Sequence, residues 1–503
     1  MNINYYKWNK KDYQVLKKST YDNLKINNIQ FYQPYYSLYF HIFNTKNSHK
    51  YIDLKRRYFI KEIFEITNKK YHTSNTFLKC KIYDSIKNIY TIEEIFCKCM
   101  PLLDPLNMIM NNYNNYVQRN PLLPSCYNNN TFEKINNMSN NAYIDTFLSF
   151  ICSEITLNQI NPSFPIYYGS LNGLKEEYNF DISEDYNSLK NEEWFHKNVK
   201  NYNFEIDMYV SSDDDSDSDE NDYYNSNDSN DNDSDDNDSD SSCLSLSSDS
   251  SSNLSIKGHN DYIMILKDLP VQLFFIEKLQ GTLEDLLCEI EDINVDVILS
   301  CIFQVSFALM YLQKHYHFTH NDLHVNNVMY TTTNKTFLYY KYNNIYFKIP
   351  TFGYLFKIID FGRAIFTFHN KLFFNDTFEK HGEAEGQYSK PFNKLNFEDK
   401  NEKKIPQNFN FDLCRLAITI LDVSNYKKDK NYNKKQSFID FIYNLTLTDT
   451  GDSLFDLEDN FNMYISIAKY SSNALPKKII QNIIFNQYRI KKKEFPKKSF
   501  YTL

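Results

Sequence analysis

Between Ser211 and Ser252 the chain reads SSDDDSDSDENDYYNSNDSNDNDSDDNDSDSSCLSLSSDSSS, with 15 Asp and Glu and no Lys or Arg. Nothing with so few apolar side chains and so much like charge can repay the entropy of ordering, so any fold built by this chain must be interrupted there. The tract is read as a disordered loop inserted in a domain, a solvated spacer. Its alternative uses are as a phosphorylation target, since many Ser precede Asp, or as a lure for basic partners.

Removing that tract changes the character of the rest. The chain has 503 residues and a formal net charge of -9, but outside the tract 55 Lys and Arg face 49 Asp and Glu. The remainder is mildly basic, and so mild an excess spread over so many residues is no nucleic-acid footprint, which would need basic residues clustered on a face or helix. Tyr (42) and Phe (40) are abundant while Gly numbers only nine, and Asn and Lys are frequent as in AT-rich coding, so single Asn or Lys residues carry little weight. The nine cysteines are scattered, with no C-x-x-C pairs, which argues against zinc or a disulfide framework and for reduced thiols. The N-terminus MNINYYKWNKKDYQVLKK has no apolar signal core, and the strongly apolar, uncharged stretch from Val297 to Leu312 is 16 residues. A membrane span needs about 20 apolar residues, so an intracellular, soluble protein without a membrane partner is expected.

Length allows two or three domains. TFLKCKIYD and YTIEEIFCKCM read as strands, Tyr143 to Ile160 as a helix, and SFPIYYGSL as the strand after it. Beyond the acidic tract VQLFFIEKL is a continuous apolar strand, and GTLEDLLCEI opens a helix with Thr282 as N-cap and Asp285 three residues on, a capping-box arrangement. Asp296 to Tyr316, apolar almost all round, predicts a buried helix. TFLYYKYNNIYFKIP predicts a hairpin about Asn343-Asn344, since Asn tolerates positive φ. FDLCRLAITIL, SFIDFIYNLTL, NMYISIAKY and PKKIIQNIIF read as helices. Strands first and helices later suggest two unequal lobes.

Chemistry concentrates in HFTHNDLHVNNVMY (His317 to Tyr330) and in FKIIDFGRA (Phe356 to Ala364), where an apolar strand runs into Asp360-Phe361-Gly362. Phosphoryl transfer needs a carboxylate to receive the attacking hydroxyl's hydrogen bond, a second carboxylate for Mg²⁺ across the phosphates, and an amide oxygen for a further Mg²⁺. Asp322, Asp360 and Asn327 are those residue types in that order. Here the chain resembles the protein kinase-like superfamily, in which H-x-D-L-x-x-x-N is followed by D-F-G. The resemblance runs from about Ile95 to Ile420, and its divergent layout is similar to kinase-like proteins of large DNA viruses of protists.

The resemblance implies an α+β, bilobal fold and further roles. Lys98, in Ile95-Phe96-Cys97-Lys98, would grip the ATP phosphates, and Glu154, mid-helix, would position it. Ile276 would be gatekeeper, with the backbone of Glu277 and Leu279 pairing with adenine. His320 would brace the catalytic loop, and Asp412 would anchor its backbone; without the family, Asp412 is an ordinary acid at a helix N-terminus. The implied organisation is an N-terminal extension (1–56), a strand-rich lobe (57–279) carrying the acidic insert, and a helical lobe (280–503) with an extra hairpin at 336–349.

Several features depart from the family. No Gly precedes Gly169, so the glycine-rich phosphate loop is absent, and its place around NKKYHTSNTF offers Ser, Thr and Asn backbone. Asn321 stands where an Arg couples to an activation-loop phosphate, which argues against that control. His324 replaces the usual Lys, so D-L-H-x-x-N is closer to haspin-like, aminoglycoside and choline kinases, and no A-P-E follows D-F-G. The expectation is an ATP- and Mg²⁺-dependent kinase acting on Ser or Thr of a protein substrate. The alternatives are a pseudokinase scaffold and a small-molecule kinase.

Overall fold

The structure is a computed structural model that describes residues 2–38, 48–68, 75–110, 112–113, 122–126, 131–183, 185–200, 204–210, 260–289, 294–380, 382–390, 404–423, 436–457 and 461–503. It is a mixed α and β structure with two compact units, residues 1–180 with 266–503 and residues 181–265. The acidic tract and residues 69–74 of NKKYHTSNTF, the expected place of the phosphate loop, lie outside the described residues.

The first unit is organised by an antiparallel sheet. Its strands are β1 (Ile26–Gln30), β2 (Tyr58–Asn68), β3 (Thr76–Asp84), β4 (Ile89–Pro101), β5 (Tyr167–Asp181) and β6 (Asn260–Glu277), in the order β1-β5-β6-β4-β3-β2. β2, β3 and β4 form a meander in which alternate residues are buried, among them Leu78, Cys80 and Ile82 on β3 and Ile95, Cys97 and Cys99 on β4. β6 lies on the other side of β4, with Lys98 opposite Phe274 and Ile95 opposite Glu277.

The N-terminal residues, which the sequence suggests are an extension, supply β1 at the sheet edge and helix α1 (Lys10–Leu24). Trp8 explains why they are ordered: its ring stacks on Phe31 at 4.7 Å, and its Nε1 donates to Asp53, itself paired with the buried Arg56 at 2.8 Å.

Helix α2 (Asn141–Leu157) starts at Asn140, whose side chain accepts from the Ala142 amide, and is buried along most of its length. After α3 (Leu283–Glu289) comes α4 (Val295–Tyr316), a helix long and apolar enough to cross a membrane but mostly buried inside the protein. Its apolarity is packing: Phe303 and Phe307 lie 5.3 and 4.7 Å from the Tyr340 ring. The reciprocal cap expected at α3 is present, the Thr282 hydroxyl accepting from the Asp285 amide at 3.0 Å and the Asp285 carboxylate from the Thr282 amide at 2.6 Å.

β7 (Val328–Thr332) pairs with β10 (Tyr354–Ile358), and between them β8 (Phe337–Tyr342) and β9 (Ile345–Pro350) form the expected hairpin, with Asn343 at φ 52°. Two short strands from the C-terminal end, Arg489–Ile490 and Tyr501–Thr502, extend that hairpin into a four-stranded sheet. Helices α5 (Phe411–Val423), α6 (Gln436–Leu445) and α7 (Phe461–Tyr470) follow the expected apolar runs. The last run differs: Pro476–Ile479 is a single α turn and Ile483–Tyr488 is 3₁₀, broken where Asn482 caps the second turn.

In the second unit, strand Glu205–Val210 runs antiparallel to residues 260–265, with Val210 opposite Asn260. The Tyr186 and Tyr262 rings stack at 3.6 Å, beside buried Phe195 and Phe204. The acidic tract therefore connects two paired strands.

Candidate functional site

Lys98 stands on β4, its ammonium 2.7 Å from Asp145 and 2.8 Å from Asp360. This corrects the sequence expectation, which gave the helix partner as Glu154. At about 100° per residue, nine positions place Asp145 and Glu154 on opposite faces of α2. Asp145 faces the sheet, fully buried; Glu154 faces a separate cavity of about 550 Å³ lined by Arg56, Asn158, Tyr311 and Tyr316. A visible signal was the charge itself, since an Asp inside the apolar run AYIDTFLSFI demands a buried partner.

The electrostatics follow from that triad. Burial opposes the charge on Lys98, but the two carboxylates outweigh it and hold the ammonium's pKa above the usual range. Burial likewise opposes ionisation of Asp360, and Lys98 overcomes it, pulling the carboxyl down to about 2. Fully enclosed Asp145 goes the other way, burial raising its pKa against the pull of Lys98.

The backbone around Asp360 is bent to suit. Asp360 sits at φ 61°, a left-handed conformation that costs an L-residue on the order of 1–3 kcal/mol. It is held there from both sides: the Phe361 amide donates to Asp145 at 2.9 Å, and the Gly362 amide to Asp360's own carboxylate at 3.3 Å. A strained residue fixed by its neighbours is the usual mark of a site where geometry matters more than stability.

The loop from Phe318 to Asn327 is fastened to the same place. Asp412, at the start of α5 and fully buried, accepts from the amides of His320 (3.0 Å) and Asn321 (2.9 Å). Burial raises the Asp412 carboxyl against the pull of His320 and these amides. His320 Nε2 lies 2.8 Å from the Ile359 carbonyl, and the Ile359 amide donates to the Asn327 backbone carbonyl at 3.1 Å, so the loop and the Asp360 segment are bound edge to edge. Asn321 adopts φ 67° and spends its side-chain amide on the Arg363 carbonyl at 2.8 Å. A small residue tolerant of that conformation fits there.

Asn327 donates Nδ2 to the Asp322 carbonyl at 2.8 Å, leaving Oδ1 as its uncommitted atom. Its Nδ2 also lies 3.0 Å from His324 Nε2, while His324 Nδ1 lies 3.3 Å from the Asn326 amide nitrogen; burial lowers the His324 pKa, and a neutral imidazole accepts from one of the two. His324 thus has a local task within this loop. The Asp322 carboxylate accepts from the Tyr464 hydroxyl at 2.9 Å and lies 3.8 Å from Arg363. Tyr464 is on α7, 142 positions away in sequence, and no local pattern announces it. It stacks under Arg415 and Arg363, 4.8 and 5.5 Å from its ring centroid, beside a cavity of about 280 Å³ that includes Asp322 and His324.

At the end of β6, Ile276 is buried and opposite Phe96. The Glu277 amide donates to the Ile166 carbonyl at 2.9 Å, so only its carbonyl can serve a bound base. Its carboxylate pairs with the buried Lys357 at 2.9 Å. Leu279, two residues on, is buried.

No protein-family model matches the chain. The uncharacterized protein 098R of invertebrate iridescent virus 6 is 38% identical over 85 residues, which are 16% of this chain and 14% of that protein. A solved structure, the ROP18 kinase domain in complex with AMP-PNP and sucrose, is similar over 94% of this chain and 90% of that one, with a TM-score of 0.30 and 8% sequence identity. So loose a superposition fixes neither fold nor function.

Chemically, the site assembles one cation flanked by two carboxylates, a second loop carboxylate near a solvent-open cavity, and an amide oxygen. Among the described residues no group of three His, Cys, Asp or Glu is placed to hold a metal by itself.

Proposed function

We propose that the chain is a protein kinase-like phosphotransferase that moves the γ-phosphoryl group of ATP to a Ser or Thr hydroxyl of a protein. One observation carries the reading: Lys98 bridges Asp145 and Asp360 while Asp412 ties the Asp322 loop beside them.

Lys98 would neutralise phosphate oxygens, with Asp145 holding its position. The Glu277 carbonyl and the Leu279 backbone would meet the adenine. Asp322 would accept the proton of the attacking hydroxyl as its oxygen bonds to the γ-phosphorus and the bond to the β-phosphate oxygen breaks, releasing ADP. Asp360, 41% exposed with one oxygen on Lys98, and Asn327, through Oδ1, fit as magnesium ligands. When bound, the ion would offset phosphate charge. A scaffold that binds without turnover is the second reading, favoured by the absence of Gly before Gly169 and by Tyr464 occupying the Asp322 carboxylate.

The test is transfer from γ-labelled ATP with Mg²⁺ to generic proteins and, in parallel, to small alcohols and aminoglycosides. Label on Ser or Thr is expected; label on the small acceptors alone would overturn the protein-substrate assignment. Nucleotide binding is read from thermal unfolding, where Mg-ATP at 100 times its Kd adds about 2.7 kcal/mol. A shift without transfer means a scaffold, and neither shift nor transfer removes the kinase-like reading.

The corrected helix residue makes a sharper prediction. Asp145→Asn keeps an acceptor for the Phe361 amide, and Lys98 keeps Asp360, so the fold should survive. Transfer should fall about 10- to 100-fold, since one positioning ion pair is lost. Glu154→Gln should stay within about twofold of wild type, because it faces the other side of α2. The reverse order in steady-state kinetics would restore Glu154 to the site.

A further inference from the structure

The segment after Gly362 turns back toward the beginning of α2, and two adjacent residues make the connection. Asn375 donates its side-chain amide to the Gly362 carbonyl, and its Oδ1 accepts from the Thr377 amide at 3.0 Å, capping the short turn Asp376–Phe378. Asp376 then makes three contacts with the start of α2 and the segment leading into it. Its amide donates to the Ser139 carbonyl at 2.9 Å, one carboxylate oxygen accepts from the Asn141 amide at 3.2 Å, and the other meets Lys134 at 3.2 Å.

The turn that presents it is tightly built. The Ala384 amide donates to the Thr377 carbonyl at 2.8 Å, and a Cβ on Gly382 would lie 2.3 Å from that carbonyl oxygen, so only glycine fits. The Asp376 side chain is 7% exposed. A carboxylate so enclosed is costly unless it is paired, and here it is paired with the open N–H of a helix's first turn and with a lysine.

From this arrangement we propose that Asp376 is a positioning residue, a fixed clasp that sets where α2 sits relative to Asp360 and so keeps Asp145 against Lys98. The physical path is short. Asn375 fixes the carbonyl of Gly362, two residues beyond Asp360; Asp376 fixes the first turn of α2, and Asp145 projects from the next turn. Both carboxylates that grip Lys98 therefore depend on one turn, residues 375–377. The clasp is made of the chain's own side chains and backbone, so it needs no added group to form. The inference rests on the kinase-like reading for its catalytic consequence, but the clasp itself can be measured without catalysis.

The experiment compares Asp376→Ala, Asp376→Glu and Lys134→Gln with wild type in the full chain. Backbone amide exchange over residues 141–149 is followed alongside ATP KM and kcat. Opening of the first turn in Asp376→Ala should speed exchange there about tenfold, as expected for one lost charged cap. ATP KM should rise with kcat falling, the acceptor KM should hold, and Asp376→Glu should recover part of both. Lys134→Gln, milder because Lys134 is one-third exposed, should show the same pattern in reduced form. Unchanged exchange at 141–149 in Asp376→Ala overturns the clasp even if the chain proves to be an enzyme. If wild type lacks transfer, the proposed function falls while the exchange result still decides the clasp. Should Asp376→Ala fail to fold, Lys134→Gln decides it: altered exchange supports the clasp and wild-type exchange with wild-type ATP KM overturns it.

Discussion

Asp322→Asn is expected to lower kcat by about 10²- to 10⁴-fold, the usual contribution of a positioned general base, with ATP KM little changed. Asn matches Asp in size and can still accept the Tyr464 hydroxyl, so the cavity keeps its shape. The loop does not depend on this side chain for its position, because Asp412 holds it through the His320 and Asn321 amides and His320 packs 5.5 Å from the Phe361 ring. What the variant loses is a site for the proton. A kcat loss without a matching loss of ATP affinity would place Asp322 at the acceptor rather than at the nucleotide. Equal transfer by wild type and variant, from preparations purified side by side, would mean that Asp322 does no chemistry.

Local physics made much of the fold readable. The β3 and β4 runs alternate, α4 is apolar all round, and the Asn343-Asn344 turn reports its own φ requirement, so each element predicts itself from neighbours a few positions away. What escaped depends on distant pairing. β1 reads INNIQ, with no pattern of its own, and becomes a strand because β5 offers it an edge. The strands Arg489–Ile490 and Tyr501–Thr502 are two residues each and exist only against the hairpin.

The candidate site divides the same way. Asp322, Asn327, Asp360 and Lys98 lie in short spaced patterns, and the structure brings the loop and strand that carry them together. Asp145 was obscured because family resemblance asks for a Glu and α2 offers one at 154; helical phase decides between them, and phase needs the helix's buried face to be known. Tyr464 reaches Asp322 from another helix, and Asp376 reaches α2 from beyond Gly362, so both are tertiary facts without a local signature.

Asp360→Asn should reduce transfer on the order of 10³-fold, because it removes the charge that would offset metal and lysine across the phosphates, a contribution of several kcal/mol. The backbone is a lesser concern: Asn tolerates positive φ about as well as Asp, so the φ of 61° persists, and its Oδ1 can still accept from the Gly362 amide. Lys98 keeps Asp145 as partner. Stability gives an independent check through pH. Lys98 depresses the Asp360 carboxyl to about 2, below the unfolded value of about 3.9, so its contribution is fully present above the unfolded pKa and is lost as pH falls through the folded one. The melting difference between wild type and Asp360→Asn should therefore be constant from neutral pH down to about 5 and shrink between about 4 and 2. A difference that grows on acidification would mean that Asp360 is not held ionised by Lys98, and label transfer surviving in the variant would mean that the activity belongs to another protein in the preparation.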